Sequence, residues 1–386
     1  MPSPTQAGRF RTKEESPPFP SLLSQLLIAF VIEFDNEFEH QMPHRTTNHG
    51  SAGNLSAAPW LVSMAMWSNF MQFVSDGVTV GELQRLTRLS KKSLFMWLAR
   101  MGKWWGYVVV ESNPVAGNPA RPGPESIVRP TAAGRRVQQV WGPLGEIIEK
   151  RWQTRFGEAQ MGRLRELLWA LISEFDVNLP DYLPVLGYGL FAEANQPQRD
   201  AHAQVVSGLA SSALPTLLSK VLFAFIMEFE RDSGLSLAMC SNVLRVLDED
   251  AMQVRELPRR TGVAREAVKH SVSFLQKQHY VVVESDPTAK GAKLVRLTLK
   301  GRDARDAYAR RLRAIEKEWQ ERFGEEKIRN LKESLETFIG TSALELSPLS
   351  AGLKPYPDGW RASLPAPETL PHYPMILHRG GFPDGS

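Results

Sequence analysis

The sequence predicts a mainly helical fold with small pairs of β-strands, in which one domain occurs twice in tandem. The hexapeptide YVVVES occupies residues 107–112 and again residues 280–285. Similar segments flank both copies in the same order, so that residues 22–34 match 217–229, 63–70 match 236–243, and 152–158 match 319–325. A length of 386 residues exceeds one ordinary core, and 42% apolar residues suffice for two. Matches of this extent indicate a duplicated domain rather than a short repeat unit.

The composition favours a cytoplasmic protein. Cys240 is the single cysteine, so the chain cannot form an internal disulfide. The longest apolar stretch, residues 22–34, is too short to span a bilayer and contains Glu33. Residues 1–18 are polar and proline-rich without an apolar signal core, and we expect them to form a disordered leader. No membrane association is predicted.

Each copy begins with two helices of unusual character. Residues 22–34 are apolar on nearly every side, and a helix of this kind is expected to be buried on every side. The second helix carries a Ser-Asn pair among large apolar residues, at residues 68–69 in the first copy and 241–242 in the second.

The next two helices have the spacing of a helix-turn-helix. A short helix starts near Glu82 or Glu256 and ends at residues 88–89 or 262–263, and another helix begins at once from Ser90 or Ala264. Pro258 falls in the first turn of its helix, where a missing N–H is tolerated. Two helices joined by a turn of three or four residues are typical of DNA-binding modules.

A two-stranded wing follows each helix-turn-helix. YVVVES is a β-branched run that predicts a strand, and the segments SIVRP and KLVRLT predict the returning strand after a polar loop. Thr131 and Thr298 are placed to cap the long helix that comes next. The predicted domain is therefore a winged helix-turn-helix.

This order of elements resembles the MarR family of bacterial winged-helix transcription factors. The resemblance covers about four-fifths of the chain and is clearest in VRELPRRTGVAREAVKHSVSFLQKQHYVVVES and the following VRLTLKGRDA. Members are normally homodimers joined through their terminal helices, so the resemblance implies that this chain is a monomer acting as an intrachain pseudo-dimer. Neither predicted wing has the Asp-Arg tip that is usual in the family. The resemblance therefore does not extend to the residues that would contact the minor groove.

The predicted domain boundaries follow from these matches. A leader spans residues 1–18, the first MarR-like copy 19–175, a linker or arm 176–213, the second copy 214–340, and a proline-rich C-terminal arm 341–386. The segments NLPDYLPVLGYG and TLPHYPMILHRGG echo each other after the two copies. We expect both arms to lie across the pseudo-dimer.

Charge is distributed as double-stranded DNA binding requires. Residues 80–165 contain 15 Lys/Arg against 6 Asp/Glu, and residues 254–332 contain 20 against 11, so each winged segment carries +9. Because the whole chain carries +4, the remainder carries −14. Positive charge is thus concentrated in the segments that would face phosphate, although long surface helices also carry solvated charges.

The expected DNA-binding residues lie at the start of each second helix and in the wings. Arg and Lys there can donate to guanine, and a carboxylate can accept from cytosine, while contacts to phosphate are equally compatible with the pattern. Because the first wing is six residues longer and the two helices differ, we expect an asymmetric operator. The candidates are Ser90, Lys91, Lys92, Ser93, Arg121, Arg265, Glu266, Lys269, His270, Lys290 and Lys293.

A small-molecule effector is a further hypothesis. It places Trp67, Ser68, Asn69 and Trp152 around a ligand pocket between the terminal helices and the winged domain. The structural alternative, which we favour, is that Glu33 and Glu228 pair with Arg155 and Arg322 and that the Asn side chains satisfy backbone groups.

A metal site was also considered, in the segment that the first copy inserts between its first two helices. This insertion of 22 residues includes His40, His44 and His49 near Glu37 and Glu39, residue types that bind zinc or nickel. Its spacing fits no fixed motif, so a mobile loop is favoured and no metal or cofactor is predicted.

Two other function classes compete with DNA binding. An enzyme is disfavoured because the sequence has no Gly-rich phosphate loop, GxSxG elbow, CxxC or HExxH motif. A winged-helix scaffold that binds proteins instead of DNA is the stronger alternative. Only a DNA binder should lose duplex affinity steeply with salt, so salt dependence separates the two.

Overall fold

The computed structural model describes most of the chain. The described residues are 17–42, 64–74, 76–87, 89, 91–103, 105–111, 122–177, 179, 213–231, 233, 235–340, 346–359, 362 and 369–373, with the backbone alone described at 65, 92, 93 and 266. Most of the predicted leader and most of the linker therefore lie outside the described residues.

The first half, residues 19–177, contains six helices and three strands among its described residues. In chain order these are α1 (Phe19–Gln41), α2 (Met64–Asn69), β1 (Val78–Thr79), α3 (Val80–Thr87), α4 (Lys91–Lys103), β2 (Val108–Glu111), β3 (Ile127–Pro130), α5 (Ala132–Phe156) and α6 (Glu158–Ile172). A short 3₁₀ turn, Met71–Phe73, follows α2.

The second half, residues 213–340, repeats this order with local differences before its second and third α-helices. Its elements are α7 (Leu214–Arg231), a π-helical turn (Leu237–Ser241), α8 (Asn242–Leu244), β4 (Met252–Gln253), a 3₁₀ turn (Val254–Glu256), α9 (Leu257–Thr261), α10 (Arg265–Lys277), β5 (Val281–Ser285), β6 (Lys293–Leu297), α11 (Leu299–Phe323) and α12 (Glu325–Ile339). A short helix, α13 (Ser350–Leu353), comes after it. The π-helical turn stands where the first half has the ordinary α2.

The fold is mainly helical with two small antiparallel sheets, as the sequence predicts. Each sheet has three strands, in the order β1-β3-β2 in the first half and β4-β6-β5 in the second. In β2 and β3, Val110 lies opposite Val128, and in β5 and β6, Val283 lies opposite Val295. The third strands, β1 and β4, were not predicted, because two residues give no periodic signal.

Helices from both halves share one core. The helix α1 is buried continuously from Phe19 to Glu39, as its all-round apolar pattern predicts. It packs against α5 in its own half and against α7 and α12 in the other, while α6 packs against α7 and α12. The rings of Trp152 and Phe338 lie 6.4 Å apart, and those of Phe19 and Trp319 lie 6.0 Å apart. Within the described parts of the chain, no helix combines the length and apolar character needed to cross a bilayer.

The C-terminal arm lies across α1, as the echo of proline-rich segments predicts. The side-chain amide of Asn36 donates to the carbonyl of Gly352 at 3.2 Å, and the Tyr356 hydroxyl donates to Glu37 at 2.8 Å. Further along the arm, Leu370 and Tyr373 are buried. Of the corresponding first segment only Leu179, which is also buried, belongs to the described residues.

Candidate nucleic-acid interface

A tight turn fixes the angle between α9 and α10. Gly262 ends α9 in the left-handed region at φ 72°, a conformation that favours glycine. The Thr261 hydroxyl donates to the carbonyl of Leu257 at 2.7 Å and accepts from the amide of Val263 at 3.2 Å. In the first half Thr87 makes the same two contacts, with Leu83 and Leu89, so the two helix pairs are joined alike.

The helix α10 separates an apolar side from a basic side. Val268 and Leu275 are buried toward the body of the domain. Arg265, Lys269 and Lys277, at a spacing of four and eight residues, are exposed on the outward side together with His270. Of the predicted set on this helix, only the side chain of Glu266 lies outside the described residues.

The outward side of α4 has a different chemistry. Lys91 is exposed at the start of the helix, whereas Phe95 and Met96, at the positions of Lys269 and His270, are half-buried apolar residues. Lys92 and Ser93 are helical, but their side chains lie outside the described residues, as does all of Ser90.

The loop between β5 and β6, the predicted second wing, is tied to the neighbouring strand β4. The carboxylate of Asp286 accepts from the amide of Thr288 at 2.8 Å and from the side chain of Gln253, on β4, at 2.7 Å. Hydrogen bonds from Thr288 lower the pKa of Asp286, so it stays ionised and keeps accepting. Lys290 and Lys293 are exposed on this loop and the strand after it. Arg121, the candidate of the first wing, lies outside the described residues.

A group of three exposed arginines on and just before α9 was not among the predicted residues. Arg259 and Arg260 lie on α9, and Arg255 lies in the 3₁₀ turn before it. The segment VRELPRR contains the signal, since it places three arginines within six residues just before the turn into α10. These side chains extend the basic surface of α10 toward its neighbouring helix.

The caps of the two long helices were predicted correctly. The Thr131 hydroxyl accepts from the amide of Gly134 at 3.0 Å, and the Thr298 hydroxyl accepts from the amide of Gly301 at 3.0 Å. Both glycines lie against a strand, because a β-carbon on Gly134 would stand 2.0 Å from the carbonyl oxygen of Tyr107. These contacts fix each wing to the long helix that leads back to the core.

The acidic residues of α1 and α7 form the pairs that the structural alternative predicts. Glu33 accepts from both terminal nitrogens of Arg155 at 2.9 Å and from the indole of Trp152 at 2.8 Å. Glu228 pairs with Arg322 at 3.0 Å and accepts from the indole of Trp319 at 2.6 Å. Trp152 is thus engaged by a buried ion pair.

The other three residues of the ligand hypothesis lie elsewhere on the first half. Trp67 packs on Trp141, with ring centroids 5.9 Å apart, and Trp141 precedes Trp152 by eleven positions on α5, roughly 16 Å along the helix. The Ser68 hydroxyl donates to the carbonyl of Met64 at 2.9 Å. The side-chain oxygen of Asn69 is buried and has no hydrogen-bond partner in the part of the chain that the structure describes.

Two carboxylates, the buried Asp35 and the half-buried Glu230, cap equivalent helical segments, and neither contact was predicted. Asp35 accepts from the amide of Met64 at 2.6 Å, and Glu230 accepts from the amide of Leu237 at 3.0 Å. Burial raises the pKa of Glu230 to about 7. The alignment of residues 33–35 with 228–230 shows that both copies have a carboxylate at this position. It does not show which backbone amide each carboxylate reaches.

Among the described residues, the histidines of the insertion do not form a metal site. His40 lies at the end of α1 and stacks on Tyr356, with ring centroids 3.9 Å apart. Glu37 is engaged by Tyr356 and Arg151. His44 and His49 lie outside the described residues, and among the residues that are described no three His, Cys, Asp or Glu side chains are grouped to hold a metal ion.

No protein-family model matches this sequence, and neither a curated protein nor a solved structure is significantly similar to it.

Proposed function

We propose that this protein is a sequence-specific regulator of transcription that binds double-stranded DNA. In this proposal the two halves are MarR-like winged helix-turn-helix copies, which form an intrachain pseudo-dimer and contact two non-identical half-sites. The observation that carries it is the row of exposed basic side chains on α10, namely Arg265, Lys269 and Lys277, next to a wing that exposes Lys290 and Lys293.

This arrangement suits the chemistry of duplex DNA. An arginine on the first turn of a major-groove helix can donate two hydrogen bonds to guanine, which gives sequence discrimination. Lysines on the wing supply contacts to phosphate, which position the protein without reading sequence. Arg265 is therefore assigned to base recognition, and Lys290 and Lys293 to the backbone.

The difference between α4 and α10 supports an asymmetric operator. A homodimer presents the same helix twice and prefers a palindrome with half-sites roughly 34 Å apart. Here Phe95 occupies the position of Lys269, so the two helices cannot make the same contacts. A small-molecule effector remains part of the proposal, supported by the buried, unpaired oxygen of Asn69.

The test is selection of duplex DNA from a random library, followed by affinity measurements across a salt series. We expect a non-palindromic site and a log–log slope near −0.9 for each neutralised phosphate. Arg265→Ala should weaken binding by about 1–3 kcal/mol and relax specificity at one position. Lys317→Ala, which removes an exposed lysine near the C-terminal end of α11, is the matched control and should change little.

Two results would contradict the proposal. One is a perfect palindrome from the selection, and the other is equal weakening by Arg265→Ala and Lys317→Ala. Absence of any retained duplex at low salt would favour the alternative of a protein-binding scaffold. In the first half the half-buried Phe95 and Met96 replace Lys269 and His270, so that half has fewer side chains suited to DNA.

A further inference from the structure

Residues 369–373 of the C-terminal arm, the segment TLPHY, are docked between α1 and the second winged segment. The side-chain oxygen of Asn242 accepts from the amides of His372 at 2.9 Å and Tyr373 at 3.3 Å, and its nitrogen donates to the carbonyl of Tyr373 at 2.8 Å. On the opposite side, Gln25 of α1 donates to the carbonyl of Leu370 at 3.3 Å. Leu370 is 2% and Tyr373 0% exposed.

The same segment touches the turn that precedes α10. A β-carbon on Gly262 would lie 2.0 Å from the carbonyl oxygen of Thr369, so any other residue there would displace the segment. The aligned residue of the first half is Arg88 rather than glycine. In the second half, Gly262 permits the close approach of residue 369.

Smaller side chains make room for Tyr373 in the second half. The large aromatic residues Trp67, Phe70 and Trp141 of the first half correspond in the sequence to Cys240, Val243 and Tyr308. In the first half Trp67 packs on Trp141, with ring centroids 5.9 Å apart, and Phe70 stacks on Trp97 at 5.7 Å. In the second half Tyr373 lies beside Tyr308, and burial together with this neighbour raises the pKa of Tyr373 well above its usual range.

Asn69 and Asn242 provide the clearest comparison of the two halves. They are aligned, and both follow a serine whose hydroxyl donates to the backbone four residues earlier. Asn242 uses both atoms of its amide to hold the arm, whereas the oxygen of Asn69 has no hydrogen-bond partner among the described residues. A side chain that pairs with the backbone of an extended segment in this way recognises a peptide rather than a single functional group.

We propose that Asn242, Gly262, Tyr308 and Gln25 form a peptide-binding site for a Leu-Pro-X-Tyr segment, whose resident occupant is the chain's own residues 369–373. Because the segment contacts α1 and the turn before α10 together, its occupancy fixes α10 relative to the shared core. This second clause rests on the proposed function, since a fixed position of α10 matters for DNA binding. The peptide site itself does not depend on DNA.

The first experiment uses the full-length chain and a synthetic peptide, TLPHY, with an N-terminal fluorophore. In the double variant L370A/Y373A the site is vacated, and we expect saturable binding of the peptide at least tenfold tighter than to the wild type, whose own segment competes. Adding Asn242→Ala should weaken this binding at least tenfold, whereas adding the matched Asn69→Ala should change it less than twofold. Equal effects of the two Asn variants, or no saturable binding to a folded double variant, would overturn the proposal.

The second experiment avoids the double variant, in case it does not fold. Amide hydrogen exchange at His372 and Tyr373 should be at least tenfold faster in Asn242→Ala than in the wild type and unchanged in Asn69→Ala. Cys240→Trp, which restores the ring of the first half, should also accelerate exchange there. Unchanged protection in Asn242→Ala would exclude the site.

DNA affinity tests the second clause separately. L370A/Y373A should bind the selected operator at least fivefold more weakly, and saturating peptide should restore the affinity, because a pre-positioned α10 loses less conformational freedom on binding. If the peptide bound but did not restore DNA affinity, only the proposed coupling between the peptide site and α10 would be refuted. If the wild type bound no DNA, the proposed function would fail while the peptide and exchange results still decided the site.

Discussion

The partial burial of Glu230 opposes the charge of its carboxylate. Burial raises its pKa from 4.5 to about 7, while its carboxylate accepts from the amide of Leu237. The folded state therefore holds the proton more tightly than the unfolded state. Its full contribution to stability is present below about pH 4.5, and this contribution is lost as the pH rises to about 7.

We therefore predict that Glu230→Gln raises the free energy of unfolding at pH 8 by about 1–3 kcal/mol and gives no gain at pH 4. Glutamine keeps an oxygen that accepts from Leu237, so the cap itself is retained. Urea unfolding at both pH values measures the difference, with Glu82→Gln, a partner of Arg85 on the surface, as the control. A gain of the same size at both pH values would show that burial of the charge is not the cause.

Contacts of individual residues could be predicted best where the rule that governs them is local. The caps by Thr131 and Thr298 and the turn at Gly262 depend on neighbours within three residues, and each was predicted from its own segment. The close approach of Gly134 to Tyr107 and the partner of Glu230 depend on how distant elements pack. No local pattern contains that information.

At the scale of elements, the second wing and α10 should contribute to DNA binding in different ways. In the proposed function Lys293, which is exposed at the start of β6, contacts phosphate. We predict that Lys293→Ala weakens binding to all duplex sequences alike and reduces the log–log salt slope by about 0.9. Arg265→Ala should instead alter sequence preference.

Binding isotherms at several salt concentrations, on the selected operator and on an unrelated duplex, measure both effects. Lys317→Ala on α11 serves again as the control, because it changes the net charge of the protein by the same amount. If Lys293→Ala weakened binding to the operator more than to the unrelated duplex, the result would mean that the wing contacts bases.

The principal elements could be predicted from the sequence, and the exceptions have physical reasons. Helices and strands with several periodic residues, such as α1 and β5, appear where their patterns indicate. The strands β1 and β4 have two residues each and exist only because β3 and β6 offer paired edges. The π-helical turn at Leu237–Ser241 replaces an α-helix of similar sequence, and the sequence contains no signal for it.

At the scale of the whole molecule, the shared core should make the two halves unfold together. Trp152 of the first half packs on Phe338 of the second, and Trp319 of the second packs on Phe19 and Phe175 of the first. We predict a single calorimetric transition with a van't Hoff enthalpy close to the calorimetric enthalpy. Two resolved transitions, or a calorimetric enthalpy near twice the van't Hoff value, would show that the halves are independent.

The candidate site was only partly predictable at this scale. Its basic residues follow from composition and spacing, and the arm across α1 follows from the repeated proline-rich segment. The difference between the halves does not, because it requires knowing that Cys240 and Tyr308 surround a space and that Tyr373 reaches it. Such compensation between positions more than 60 residues apart appears only after the chain is folded.

The burial of α1 also has a consequence during protein synthesis. Its partner α7 begins at Leu214, and at about 5–20 residues per second a ribosome needs roughly 10 to 35 seconds to add the residues between them. For that interval a 23-residue helix rich in Leu and Phe lacks the surfaces that will enclose it. The nascent chain therefore presents a strongly apolar segment early, which makes it a natural client for chaperones that act at the ribosome.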